Sequence, residues 1–286
     1  MSRTDPAELH VRVVAPRGST RARVAVVHGF AEHGDRYRPL AQALAERGME
    51  AHLLDGHGHG RSPGVRGLVP SENLAVEAVE ALLERLQDDG TPVAAFGHSF
   101  GGALVLRAAQ RRPDLLDAVV ASAPYLATGL PDPPWLLRVA SAAGRLAPRL
   151  RTKPLDAAIV SNQPDEVRAY DEDPLVDRGG VRLGSIRALH AIGPRVLGDA
   201  TRLVTPTLIV HGSDDRLASP EGSRRLYLAA GAGDVELHEV PGAAHALLHD
   251  VHAERVQEGV VAWLVDRLGV QGDGSGAPAD APTDAD

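Results

Sequence analysis

Residues 92–106 read Pro92-Val93-Ala94-Ala95-Phe96-Gly97-His98-Ser99-Phe100-Gly101-Gly102-Ala103-Leu104-Val105-Leu106. A short apolar run, a serine between glycines, and an alanine- and leucine-rich run predict a strand, a sharp turn and a helix. Gly97 to Gly101 fits G-x-S-x-G, the pattern of a nucleophile elbow. There the serine sits on a strained strand-to-helix turn, and small flanking residues let the two elements approach closely. With 30 glycines in 286 residues, chance supplies such a match about one time in seven, so the motif needs its context.

The chain contains a second match, Gly60-Arg61-Ser62-Pro63-Gly64. An elbow serine requires a strand before it, a helix after it, and an N–H on the next residue to bind an oxyanion. Phe100 supplies that N–H after Ser99. Pro63 has none to supply after Ser62. Ser99 is therefore the expected nucleophile.

Outward from Ser99, apolar runs alternate with helical patterns. This is the form of a largely parallel sheet with helices on both faces. Strands are expected at Leu9 to Val14, Val24 to Val27, Glu50 to Leu54, Pro92 to Phe96, Ala118 to Ser122, Thr207 to His211 and Val235 to Val240. Tyr37, Leu40, Ala41 and Leu44 form one face of a helix that stops at Gly48. A helix after Ser71 should bury Leu74, Ala78, Leu82 and Leu86 and turn Glu77, Glu80, Glu84 and Asp88 outward. Another runs from about Phe100 to Arg112, and the last places Val256, Val260, Leu264 and Leu268 on one face. The rhythm breaks over 123–203, which holds helical fragments and many prolines but no convincing strand. We read it as a helical cap inserted into a core formed by 1–122 and 204–270, since structureless loops of that length are rare in compact domains.

Composition bounds the rest. The apolar fraction of 43% suits a globular chain. No run approaches the roughly 18 apolar residues that cross a bilayer, and the start Met1-Ser2-Arg3-Thr4-Asp5-Pro6 lacks the apolar stretch of a signal peptide, so the expectation is a cytoplasmic protein, free or peripheral to a membrane. With no cysteine, thiol nucleophiles and thiolate metal sites are excluded. The net charge is −8, but Asp273, Asp280, Asp284 and Asp286 lie after Val270, leaving −4 on the remainder. Without a basic stripe, nucleic acid is not an expected partner. The Gly/Ala/Pro-rich end, 271–286, reads as a disordered acidic tail.

Two later strand ends complete a hydrolytic constellation. The run Thr207 to His211 leads into Gly212-Ser213-Asp214-Asp215, and Val235 to Val240 leads into Pro241-Gly242-Ala243-Ala244-His245. The chain order Ser, Asp, His places an acid in the first loop and a base in the second. Serine is a poor nucleophile as an alcohol, so His245 must take its proton and return it to the leaving group. Asp215 would hold the imidazole's tautomer, although periodicity alone leaves Asp214 open. The oxyanion needs two donors, the N–H groups of Phe100 and of Phe30 in His28-Gly29-Phe30. His28 reads as support for that loop. His57-Gly58-His59 and the trio His245, His249, His252 lack the carboxylate pattern of a zinc site, so no metal is expected.

Four segments together resemble the monoacylglycerol lipase branch of the α/β-hydrolases, a group also described as serine aminopeptidase-like hydrolases. They are Val27 to Tyr37 (VHGFAEHGDRY), Asp55 to Ser62 (DGHGHGRS), Gly97 to Gly102 (GHSFGG) and His211 to Leu217 (HGSDDRL), and H-G-x-x-E-H-x-x-R-Y is the specific pattern among them. In the insertion, Ser161 to Pro164 and Ala169 to Leu175 look like the family's cap. The resemblance implies the α/β-hydrolase fold and a lipase or esterase without a cofactor, acting on esters with one acyl chain and releasing fatty acid and glycerol through an acyl-enzyme. It favours Asp215 over Asp214, because the family's Asp precedes the Arg-Leu pair. It also puts Glu32 and Arg36, with His98, at the polar end that receives the glycerol head.

Three departures set limits on the likeness. The start holds one plausible strand before Val24, Phe30 is bulky where relatives often carry a smaller residue, and Ala246-Leu247-Leu248-His249 alters the contacts after the base. Pro133 to Ala140 is a candidate apolar rim for lipid entry, with transient contact at most with membrane surfaces, because aromatic content is 3%. Two rival readings remain at this point: a general carboxylesterase or lysophospholipase, and a non-catalytic relative that binds a small ligand.

Overall fold

Parallel strands covered on both faces must be apolar almost throughout, and the central strands here are. The computed structural model describes residues 8–87, 89–130, 134–154, 157–230 and 234–270. Seven strands form one sheet: β1 Val11–Val14, β2 Ala22–Val27, β3 Met49–Leu54, β4 Val93–His98, β5 Ala118–Ser122, β6 Thr207–Gly212 and β7 Val235–Val240. Their order is β1-β3-β2-β4-β5-β6-β7, with β1 antiparallel to β3 and every other pairing parallel. The expected first strand is thus present from Val11, at the edge, while Leu9 is buried just ahead of it.

Alternate residues on each strand feed two cores. Ala25, Val27, Ala95, Val119 and Ile209 pack with helices α2 (Glu72–Arg85) and α3 (Phe100–Arg111) on one face. Val24, Val26, Phe96, Val120 and Leu208 pack with α1 (Arg38–Glu46) and α8 (Ala253–Arg267) on the other. The start of α2 is set by Ser71, whose Oγ accepts the N–H of Asn73 at 3.1 Å, the usual N-cap bond. Gly48 closes the turn after α1 at φ 80°, where a side chain would be strained.

One helix face differs from expectation. Glu80 is buried against Arg111 at 3.0 Å, not turned to solvent, and Val76, Val79 and Leu83 are buried with Ala78 and Leu82, whereas Leu74 is only partly covered. The cause is that α2 packs on α3 as well as on the sheet, so its covered face is wider than a single stripe. Asp88 lies outside the described residues, as do Met1 to Pro6 and the 271–286 tail.

Between β5 and β6 run α4 (Pro134–Leu146), α5 (Pro164–Glu172) and α6 (Leu183–Gly198), with no strand among the described residues of that span. Helix α7 (Pro220–Ala229) joins β6 to β7. Turns at the carboxyl ends of β2, β4, β6 and β7 all open on one edge of the sheet, the position where open α/β sheets carry their sites.

Candidate active site

Ser99 joins β4 to α3 at φ 53°, ψ −117°, a conformation that costs a non-glycine residue about 1–3 kcal/mol and persists only when surroundings enforce it. The surroundings are tight: a Cβ on Gly97 would stand 2.4 Å from the Gly101 carbonyl oxygen, and one on Gly101 would stand 2.3 Å from that of Val27. Glycines are required at both positions by close approach. The Ser99 N–H donates to Ser122 O at 2.9 Å, and its carbonyl accepts from Ala103 and Tyr125, each at 3.0 Å.

The side chain meets the two strand-end loops. Ser99 Oγ lies 2.8 Å from His245 Nε2, and His245 Nδ1 lies 2.7 Å from Asp215 Oδ2. All three residues are buried. Asp215 Oδ1 accepts from the N–H groups of Leu217 and Ala218 at 2.8 and 2.9 Å, and Oδ2 also receives His211 Nε2 at 3.1 Å. Burial alone would raise this carboxyl; the charge of His245 and the hydrogen bonds of His211 and His245 outweigh it and hold Asp215 well below the usual carboxylate range. Asp214, by contrast, is exposed and accepts from Ser213 Oγ at 2.9 Å.

The loop after β2 lies against Ser99, since a Cβ on Gly29 would stand 3.3 Å from Ser99 Cβ. His28 supports it: Nε2 accepts the Gly56 N–H at 2.9 Å, so the proton resides on Nδ1 and is donated to Gly29 O at 2.6 Å. Glu32 holds the other side. Its Oε1 accepts from Gly29 N–H and Tyr37 O–H, both at 2.7 Å, and its Oε2 accepts from Arg36 Nε at 3.0 Å. Burial would raise Glu32; His98, Arg36, His28 and the Tyr37 hydrogen bond hold it down at about 2. Phe30 packs edge-on against His59 at 5.5 Å between ring centroids, and Ala31 takes φ 69°. Phe100 opens α3, where the first N–H groups of a helix lack partners within it.

Of the three residues expected at the polar end, Glu32 thus has its carboxylate filled by protein donors. Arg36 places its guanidinium 5.0 Å over the Tyr170 ring of α5. His98 packs 4.8 Å from the His245 ring, with Nδ1 3.3 Å from Ser122 Oγ; burial, with His245 beside it, pushes it down to about 3.

Contacts that the sequence concealed tie the insertion to these loops. Asp250 accepts from Ala244 N–H at 2.5 Å and from Asn162 N–H at 2.7 Å, and Ser161 Oγ donates to His249 O at 2.6 Å. His33 Nε2 meets Asp173 Oδ2 at 2.8 Å, and the Asp177 N–H donates to Ala31 O at 2.7 Å. His249 Nδ1 lies 3.1 Å from Glu166 Oε2. These pairs, 83 to 146 residues apart apart from the Asp250–Ala244 turn, could not be read from spacing. The alternative metal residues have other neighbours: His59 Nδ1 faces His57 O at 2.8 Å, and no group of three His, Asp or Glu able to hold a metal occurs among the described residues.

The family model for serine aminopeptidase, S33 (Hydrolase_4) matches residues 18–252. The chain is 35% identical over 264 residues to a monoacylglycerol lipase of Mycolicibacterium smegmatis, covering 90% of this chain and 94% of that protein. It is 32% identical to the monoglyceride lipase of Homo sapiens, covering 84% and 80%. Among solved structures, the monoacylglycerol lipase of Paleococcus ferrophilus superposes with a TM-score of 0.84 at 34% identity, covering 91% of this chain and 99% of that one.

Proposed function

Because this chain belongs to the serine aminopeptidase S33 family of α/β-hydrolases and is a carboxylic ester hydrolase, we propose that it cleaves monoacylglycerols to fatty acid and glycerol through an acyl-enzyme on Ser99. The observation that carries the roles is the unbroken line from Ser99 Oγ to His245 Nε2 at 2.8 Å and from His245 Nδ1 to Asp215 Oδ2 at 2.7 Å. Ser99 Oγ attacks the ester carbonyl while His245 takes its proton. The oxyanion is received by the N–H groups of Phe30 and Phe100, and each such donor is worth about 10² to 10³ in rate. Collapse expels the glycerol alkoxide, which His245 protonates. Water, deprotonated by His245, then releases the fatty acid. Asp215, ionised throughout, holds the imidazole's tautomer and stabilises the imidazolium.

We assign the glycerol head to the side of Ser99 where Arg36 and His98 stand. Glu32 serves that side by holding Gly29, Arg36 and Tyr37 in place. The span 123–203 acts as the cap over this site, tied to it through Asp250, Asp173 and Asp177. Its outer surface carries exposed Trp135, Val139, Leu146 and Leu150, and between Pro134 and Pro154 the chain has five cations and no acid. That combination suits transient contact with a lipid surface. No helix among the described residues is long and apolar enough to cross a membrane.

The test is fatty-acid release from 1-lauroylglycerol, 1-oleoylglycerol, dioleoylglycerol, lysophosphatidylcholine and p-nitrophenyl butyrate, with Ser99→Ala as control. Higher kcat/KM on the monoacylglycerols than on the others is expected. A preference for the butyrate ester or for the lysophospholipid would replace the substrate assignment, and turnover that survives in Ser99→Ala would remove the mechanism.

A further inference from the structure

Strand β6 ends near a histidine that the mechanism above does not use. His211 is fully buried. Its Nε2 lies 3.1 Å from Asp215 Oδ2 and 3.1 Å from the carbonyl oxygen of Ala218. Both are acceptors without a proton to give, so Nε2 must carry the hydrogen. On the other side of the ring, Nδ1 lies 2.7 Å from Ser223 Oγ in α7. A neutral ring accepts there, and the Ser223 hydroxyl pins the tautomer by donating.

Asp215 Oδ2 is therefore shared by two imidazole donors, His245 at 2.7 Å and His211 at 3.1 Å, while Oδ1 is filled by two backbone N–H groups. We infer that His211, fixed by Ser223, is a positioning residue for the triad's acid: it holds Asp215 ionised and in place and draws off part of its negative charge. A carboxylate with more donors is a weaker base and attracts the His245 proton less strongly. Losing the His211 donor should therefore move the acidic limb of the pH–rate profile upward. The inference rests on the Ser99-His245-Asp215 assignment.

The other charged groups near this relay are few. His245 faces Ser99 and His98, and His98 interacts in turn with Glu32 and His249. Glu239 on β7 feels His211 and is paired with Arg224. His98, pushed down to about 3 chiefly by burial, and Glu32, held at about 2 against burial by His98 and Arg36, do not change charge above pH 4. His249 keeps its Glu166 partner in every variant below, so its titration is common to all of them.

The experiment is the pH profile of kcat/KM for p-nitrophenyl butyrate, measured on the full chain with wild type, His211→Leu, His211→Gln and Ser223→Ala, alongside thermal unfolding. His211→Leu should move the acidic limb upward by about 0.5 to 1 pH unit, a loss of about 3- to 10-fold on the acid side relative to its own plateau. His211→Gln, whose amide N–H reaches about as far as Nε2, should return the limb to the wild-type position. Ser223→Ala should shift it in the same direction by about 2-fold. An unmoved limb in His211→Leu, even with a lower Tm, reduces the histidine to ordinary packing and overturns the inference, as does a His211→Gln limb displaced as far as that of His211→Leu. If His211→Leu does not fold, Ser223→Ala decides, and an unmoved limb there is the contrary result. A wild type without Ser99-dependent turnover would instead overturn the triad on which the relay depends.

Discussion

Ser99 and Ser62 sit in the same five-residue pattern, both buried, with a buried histidine within three residues of each, yet their hydroxyls have opposite surroundings. Ser62 Oγ donates to Asp55 O at 2.5 Å and accepts from His10 N–H at 2.8 Å; both of its functions are taken up by backbone. Ser99 Oγ meets an imidazole at 2.8 Å, a partner that can remove its proton. The strained backbone belongs to Ser99, at φ 53°, whereas Ser62 lies in a loop closed by Ser62 N–H to His59 O at 3.0 Å. A motif thus reports which backbone can be built, and the element that follows decides whether the hydroxyl is free for chemistry.

The sharpest contrast is between the serines themselves. Ser99→Ala should lower kcat by about 10⁶-fold, the scale of losing a serine nucleophile. Ser62→Ala should leave kcat within about twofold and cost about 1–2 kcal/mol of stability for two buried hydrogen bonds. Ester hydrolysis and denaturant unfolding on both variants check this, and a large kcat loss in Ser62→Ala would erase the distinction. Next in size, Asp215→Asn should reduce kcat by about 10⁴-fold by presenting the wrong tautomer to His245, while the exposed Asp214→Asn changes it by about twofold at most. A larger loss at Asp214 would transfer the acid's role.

The glycines come third. Gly97→Ala forces a Cβ to within 2.4 Å of a backbone oxygen and should cost about 10²-fold in kcat, as a displacement of about 1 Å does. Gly64→Ala, at φ 121°, should destabilise the fold and leave kcat of the folded fraction unchanged. Activity normalised to folded protein distinguishes these, and equal kcat losses would contradict the comparison.

The smallest effect concerns pH. His98 beside Ser99 is pushed down to about 3 and His59 near Ser62 to about 4, burial being the main cause in each. The unfolded chain takes up a proton on each near pH 6.5, which the folded chain refuses. Stability is therefore full above pH 6.5 and falls as pH drops, each histidine contributing up to about 1.4 kcal/mol per pH unit until its folded value is reached. His59→Gln and His98→Gln should each flatten the decline of stability between pH 6.5 and 5, and of the two only His98→Gln should also change kcat. An unchanged slope in both would show that these rings are not the source of acid sensitivity.

Most strands and helices were legible because their periodicities are strong: the bounds expected for Ala118 to Ser122 and Val235 to Val240 are those observed. Glu80 departs from the expected outward face because a helix between a sheet and another helix buries more than one stripe. Ser99 and His245 stand out because each follows a strand and the chain order restricts where nucleophile and base can be, whereas the same rule leaves the acid at Asp214 or Asp215 and only the family resemblance favours Asp215. Neighbours such as Asp250, Tyr170 and Asp173 carry no such signal. They are ordinary polar residues until folding brings the insertion onto the loops. His211 is concealed differently: it continues the strand from Thr207, and nothing in the sequence shows that its ring bridges Asp215 and Ser223. Glu32, Gly29, Arg36 and Tyr37 all stand in the H-G-x-x-E-H-x-x-R-Y pattern, but a pattern does not show that the last three fill the Glu32 carboxylate with hydrogen bonds.

The most direct measurement is peptide mass spectrometry after treatment of the full chain with an alkyl fluorophosphonate. One phosphonylated serine is expected, in the peptide that contains Ser99, with labelling lost in Ser99→Ala and retained in Ser62→Ala. An adduct on Ser62, or labelling that persists without Ser99, would contradict it.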